Sequence, residues 1–159
     1  MLSRIVLVFL VVAYGANAYP LHASCKLTWS FPNTNCSTVN TALVNQIKKW
    51  GPNTACGSTE KCLYTLKDSS SSALKLTHKT PVHKYVDDVS FAFDGSGASC
   101  TVHGYSTSET WYAVLDDGTN YCNMHNLLTG AGLDSNSGFA ETTSNSDCTE
   151  YTSANCGKY

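Results

Sequence analysis

Arginine is almost missing from this chain: Arg4 is the only one in 159 residues. Beyond it there is no guanidinium fork of the kind favoured for phosphate and carboxylate recognition. Nine lysines then face twelve carboxylates, and Lys48-Lys49 is the sole adjacent basic pair. Nucleic-acid binding needs clustered cations, so nucleic acid is not expected as a partner. Long apolar runs are also scarce. The one unbroken run, residues 5–12, falls well short of the ~20 residues a membrane-spanning helix needs. No apolar C-terminal tail suggests a lipid anchor, so no membrane span is expected. The catalytic signatures Cys-x-x-Cys, His-Glu-x-x-His and Gly-x-Ser-x-Gly do not occur, nor does a phosphate loop. There is no internal repeat.

The chain opens as an export signal. Arg4 supplies the positive start, residues 5–12 the apolar region, and Ala16-Asn17-Ala18 the small-x-small cleavage site. Residues 1–18 are therefore expected to be a signal peptide and the protein to be secreted and extracellular. Eight cysteines follow: Cys25, Cys36, Cys56, Cys62, Cys100, Cys122, Cys148 and Cys156. An even count in an exported chain predicts four disulfides. Zinc ligation is the rival reading, and export disfavours it. Eight cysteines allow 105 pairings, so connectivity stays open.

Periodicity supplies the elements. Residues 25–31 alternate, with Leu27, Trp29 and Phe31 on one face of a strand. Residues 37–50 place Val39, Leu43, Ile47 and Trp50 on a helical stripe, with Ser37 or Thr38 as the cap. Four strands are predicted next: residues 62–66, then one carrying Leu74, Leu76 and His78, one carrying Val89, Phe91 and Phe93, and one carrying Cys100, Val102 and Gly104. Residues 111–115 form an apolar run of open assignment. Residues 120–129 predict a second helix anchored by Tyr121, Leu127 and Leu128. The order β-α-β-β-β-β-α predicts an α+β fold, a curved antiparallel sheet with both helices on one face. Residues 19–133 form that single domain. Residues 134–159 read as a polar tail clipped on by Cys148 and Cys156. The expected core is Leu27, Trp29, Phe31, Val39, Leu43, Ile47, Leu63, Leu74, Leu76, Val89, Phe91, Phe93, Val102 and Leu128.

Several motifs carry both a chemical and a structural reading. Asp87-Asp88 is placed just before the strand marked by Val89, and Asp116-Asp117 just before the second helix. Paired carboxylates hold calcium or share a proton; they are also ordinary turn and helix-start residues. Residues 134–138 with Glu141 echo a calcium loop, but Phe139 stands where its glycine belongs. His78 and His103 lie on strands where they could meet across the sheet. No metal or cofactor is expected. Asn35-Cys36-Ser37 makes Asn35 a candidate glycosylation site. Residues 105–121 combine four aromatics, three carboxylates and several hydroxyls. That mixture suits a concave site of apolar walls and placed polar groups, or else a connection whose aromatics fill the core. The candidate ligand residues are Tyr105, Glu109, Trp111, Tyr112, Asp117 and Tyr121.

The runs 36–40, 85–88, 104–112 and 120–123 resemble a family of secreted eight-cysteine proteins from fish and aquatic invertebrates. That likeness spans nearly all of residues 25–159 and implies no activity. A second resemblance is to a bacterial and plant domain family of unknown function. Its runs are aromatic-x-Asp-Asp, Ser-x-Ser-Arg and Asp-x-Gly-x-Asn-x-x-Arg. Tyr85, Asp87 and Asp88 match the first, Ser106 and Ser108 the second, and Asp116, Gly118 and Asn120 the third. Glu109 and Asn123 stand in place of the two arginines, so any anion site in those relatives lacks its cations here.

These features point to a non-enzymatic extracellular protein. It would bind a small molecule or an extracellular protein at the junction of sheet and second helix. One alternative is a secreted hydrolase pairing Asp or Glu with His103. Another is a calcium-dependent matrix or adhesion protein.

Overall fold

The computed structural model describes residues 22–110 and 113–159. The expected signal peptide, residues 1–18, lies outside them, as do Trp111 and Tyr112. β1 (Ser24–Phe31) buries Cys25, Leu27, Trp29 and Phe31 and exposes Lys26 and Ser30, the predicted alternation. α1 (Cys36–Lys49) buries Val39, Leu43, Gln46 and Ile47. Its cap is Asn35, not Ser37 or Thr38. The Asn35 carboxamide oxygen accepts from the Thr38 backbone N–H at 2.9 Å, so the cap lies two residues before Ser37 and the helix starts at Cys36.

β2 (Tyr64–Ser69), β3 (Ala73–Lys79), β4 (Val86–Asp94) and β5 (Cys100–Ser108) follow, then α2 (Thr119–Gly130). A short strand, β6 (Ala140–Thr142), comes from the polar tail. The six strands form one open antiparallel sheet in the order β2-β3-β4-β5-β1-β6. Both helices pack against the same face. α1 contacts β2, β4 and β5, and α2 contacts β1, β4 and β5. Between them lies one apolar cluster centred on Trp29, Phe31, Leu43, Phe91, Met124 and Leu127. At Gly104 a Cβ would stand 2.7 Å from Leu27 and 2.8 Å from Met124, so the missing side chain lets α2 approach β5.

Two expected core residues differ. Leu63 is only half-buried because its φ of 58° turns the chain into β2, which starts at Tyr64. Phe93 is half-buried near the end of β4, packed against the edge of the core. Asp87-Asp88 does not precede β4 but lies within it, and Asp87 faces the helices with 3% exposure. His78 and His103 do not meet: His78 is buried under the helices, and His103 is exposed on the other face of the sheet.

The disulfides pair Cys25 with Cys148, Cys36 with Cys100, Cys56 with Cys62, and Cys122 with Cys156. The tail is thus fastened twice, to β1 and to α2. Four such bridges mark the chain as a protein of an oxidising, extracellular compartment. Among the described residues no helix is long and apolar enough to cross a membrane. Alkylation of the denatured, unreduced protein is expected to label none of the eight cysteines. Uptake of label at any one would contradict this pairing.

Candidate functional site

The helix-facing side of the sheet is apolar in its middle and polar at one end. Antiparallel register aligns Tyr64, His78, Asp87 and Ser108 in a single cross-strand row, all four buried. α2 meets this end with Asn120, Asn123 and Asn126, spaced three apart and all buried. Asn123 Nδ2 donates to Asp87 Oδ2 at 2.8 Å and to Ser106 Oγ at 3.3 Å. Ser106 Oγ donates to Asn120 Oδ1 at 2.6 Å, and Asn120 Nδ2 donates to Asp116 Oδ2 at 2.7 Å. A continuous hydrogen-bonded chain therefore joins Asp87 to Asp116. Of the residues carrying the second resemblance, Asp87, Ser106, Ser108, Asp116, Gly118 and Asn120 meet here from three separate runs of sequence, while Asp88 is exposed on the other face of the sheet.

Asp116 also starts α2. It accepts from the backbone N–H of Asn120 at 2.9 Å and of Gly118 at 3.3 Å. Gly118 has φ 75° and its Cβ would strike Ala154, so only glycine fits at this turn. Glu150, from the tail, accepts from the backbone N–H of Asp116 and Asp117 at 2.8 and 2.7 Å. Negative charge at the first turn suits the helix dipole.

Beside this network opens a cleft of about 640 Å³. Glu60, Asp87, Asp116 and Asp117 supply its carboxylates; Val82, Tyr85, Val114 and Leu115 form apolar walls; Lys158 and Tyr159 stand at its edge. Burial pushes the Asp87 carboxyl above its usual range, against the hydrogen bonds from Asn123 and Ser108. Burial likewise raises Glu60 and Asp116, and the Asp87 charge raises both further. His78 is held neutral, its pKa lowered to about 4 by burial. Its Nε2 is 2.9 Å from the Glu60 carbonyl, and its ring packs on Tyr64. Lys158 donates to Tyr159 Oη, which donates to Asp117 Oδ2 at 3.1 Å, so the one lysine at the cleft is tied to the outermost acid.

Of the residues nominated from sequence, Asp117 lines this cleft. Glu109 is exposed, with its backbone N–H on Val86 O, and is not among the lining residues. Tyr105 faces away, on the open side of the sheet, and Tyr121 bonds His125 and Glu141 on the far side of α2. Trp111 and Tyr112 lie outside the described residues. Glu60 and Asn123 were not legible as site residues in the sequence, and Asp87, Tyr85 and Asn120 stood out in motifs without being nominated as ligand residues. The asparagine spacing along α2 was the available signal, since polar residues three apart share a helix face.

The other chemical readings find little support in the geometry. His103 bonds Thr28 Oγ1 at 3.3 Å on the open face, so it cannot work with Asp87. Glu141, the acid nearest the partial calcium loop, turns inward onto Trp29 and Tyr121. Among the described residues no group of three or more His, Cys, Asp or Glu is arranged to hold a metal ion. Asn35 is exposed at the start of α1.

No family model matches this chain, and no curated protein matches it. Among solved structures it is similar to the open form of the exocytosis-sensitive phosphoprotein pp63/parafusin, a phosphoglucomutase, from Paramecium. The likeness is 10% in identity with a TM-score of 0.37, and it spans 74% of this chain and 22% of that one, too slight to bear on function.

Proposed function

We propose that this protein is an extracellular binding protein whose cleft takes a small molecule with an apolar body and an ammonium head. One observation carries the reading. Five large apolar or aromatic side chains are notably exposed among the described residues, and four of them, Val82, Tyr85, Val114 and Leu115, line this cleft. Exposed apolar surface gathered around a cavity is a mark of ligand sites. The carboxylates supply the other half of the argument. Asp87 is buried without a cation of its own, and burial of an unpaired charge is costly. A ligand cation on the floor of the cleft would offset that cost, while the walls cover the body.

Dansylcadaverine, an aromatic primary amine, is a suitable probe, with dansylamide as its uncharged analogue. The amine is expected to bind at least about tenfold more tightly at pH 7, a difference of ~1.4 kcal/mol. Asp87→Asn should remove that preference and at the same time raise the melting temperature at pH 7. The sign follows from linkage. A carboxyl whose folded pKa is raised favours the folded state below its unfolded pKa, and that contribution is lost as pH rises through the folded value. The gain from Asp87→Asn is therefore full at neutral pH and fades toward the ordinary carboxylate range near 3.8. Equal binding of the two dansyl compounds, or no change on Asp87→Asn, would sink the proposal.

A further inference from the structure

Asn35-Cys36-Ser37 is the single Asn-x-Ser/Thr tripeptide in the chain, and the fold places it on the surface. Asn35 and Ser37 are exposed, and Cys36 is half-buried. The two atoms of the Asn35 carboxamide have different surroundings. A backbone N–H only donates, so the atom 2.9 Å from the Thr38 N–H is the oxygen. The nitrogen, Nδ2, is therefore turned away from the helix end and bonds to none of the described residues. Position in the sheet is equally clear. Cys36 is bridged to Cys100, which begins β5. Ser108, at the other end of β5, lines the cleft. The nine residues of β5 span roughly 26 Å, so Asn35 stands at the end of the sheet remote from the cleft.

We infer that Asn35 carries an N-linked oligosaccharide, attached before Cys36 pairs with Cys100. In the transfer, Nδ2 bonds to the anomeric carbon of a lipid-diphosphate-linked oligosaccharide. The bond from that carbon to the diphosphate oxygen breaks. The lipid diphosphate leaves with the electron pair, and the amide gives one proton to a base of the transferring enzyme. The order of events follows from the fold. In the finished protein the bridge ties Cys36 down and Ser37 lies in the first turn of α1, so the tripeptide cannot be drawn into an enzyme's site. Neither restraint exists early. Cys100 follows Cys36 by 64 residues, roughly 3–13 s of synthesis. A helix of 14 residues is marginal on its own, so residues 35–37 stay open until the sheet forms. After folding, Oδ1 caps α1 while Nδ2 holds the sugar. Cap and glycan use different atoms of one side chain, and the bulky polar group stands in solvent.

Secretion from cultured animal cells tests this. A glycoamidase that cleaves the Asn–sugar bond is expected to lower the apparent mass of the secreted parent. Peptide mass spectrometry should then find aspartate at position 35. Ser37→Ala removes the acceptor hydroxyl and spares the cap; Asn35→Asp keeps a capping oxygen. Both should run at the deglycosylated mass and melt with the deglycosylated parent, while Ser37→Thr should keep the glycan. Pulse labelling then tests the order, read on chains still inside the cell so that folding does not matter. Cys100→Ser leaves the tripeptide unchanged and removes the partner of Cys36, and it should match the parent in occupancy. A secreted parent that the glycoamidase does not shift, or a shift that persists in Ser37→Ala, would overturn the site. Occupancy severalfold higher in Cys100→Ser would overturn the order, because the bridge would then compete with transfer.

Discussion

Phe91→Ala is expected to destabilise the protein by about 3–5 kcal/mol. Phe91 sits at the centre of β4 with 1% exposure, and its ring stacks on Trp29 with centroids 5.3 Å apart. The substitution removes a whole ring from a close-packed layer and leaves a cavity the backbone cannot fill, because β3 and β5 hold β4 on both sides. An aromatic pair of this kind adds about 0.5–1.5 kcal/mol beyond its buried area. Ser90→Ala, one residue away on the open face, should change stability by under about 0.5 kcal/mol. Equilibrium denaturation in urea measures both. A loss at Phe91 below about 1 kcal/mol would mean that the register of β4 is inverted, since a one-residue slip exchanges the two faces.

That contrast shows what hydrophobic periodicity can and cannot read. β1, β3 and β5 were legible because apolar and polar residues alternate along them and only one face is covered. β4 was legible from Val89 to Phe93 for the same reason. Its first three residues were not, because an inward aspartate looks like a turn residue and Asp87-Asp88 breaks the apolar alternation. The same cause hid most of the candidate cleft. Asp87 and Ser108 line it from core positions, with Asn120 and Asn123 behind them, each buried because another polar residue satisfies it. Such a network has no period of its own. It exists only where two elements meet, and no single run of sequence announces it. Glu60 and Tyr159 reach the cleft from the loop before β2 and from the end of the chain, which no local pattern connects to α2. By contrast, the aromatic-acid run at residues 105–121 was legible but is divided by the fold. β5 sends Tyr105 to one face, α2 sends Tyr121 to another, and Asp117 alone among its described candidates lines the cleft.

The acidic cleft lies on the helix side of the sheet only, and strand alternation is the device that keeps it off the open face. Along β4, Asp87 and Phe91 point to the helices, while Ser90 and Ala92 point to the open face. Along β3, His78 points inward and Lys75 outward. A sheet covered on one side only gives each strand two faces of different chemistry, and its edges need partners of their own. β6 covers the β1 edge, although it is only three residues long. A strand that short gains little from its own ladder, and what holds it must come from side chains.

Glu141→Ala is expected to cost about 2–4 kcal/mol, most of it through the donors it leaves behind. Glu141 is the middle residue of β6 and turns under the sheet edge. Its Oε2 accepts from Trp29 Nε1 at 2.8 Å and its Oε1 from Tyr121 Oη at 2.8 Å. His125 Nδ1 stands 2.9 Å from Tyr121 Oη. Because an ionised carboxylate only accepts, Tyr121 must donate to it, and the His125 N–H must donate to Tyr121. Alanine strands the indole N–H of a residue with no exposure at all and breaks this relay. Glu141→Gln should recover only part of the loss, since its amide nitrogen would face a donor. The pH profile identifies the carboxylate as the cause. Burial alone would raise the Glu141 pKa, but the hydrogen bonds from His125, Trp29 and Tyr121 outweigh it and hold the group below its ordinary 4.5. A carboxyl with a depressed folded pKa stabilises above its unfolded value, and that stability is lost as pH falls through the folded value. The loss in Glu141→Ala should therefore be constant above about pH 5.5 and shrink below 4.5; it is opposite in sign to the gain from Asp87→Asn, which also fades in acid. Urea midpoints for the three proteins from pH 3 to pH 8 separate the two carboxylates. A gap that stays open in acid would show that β6 is held by its disulfide and backbone pairing, with Glu141 contributing only its packing.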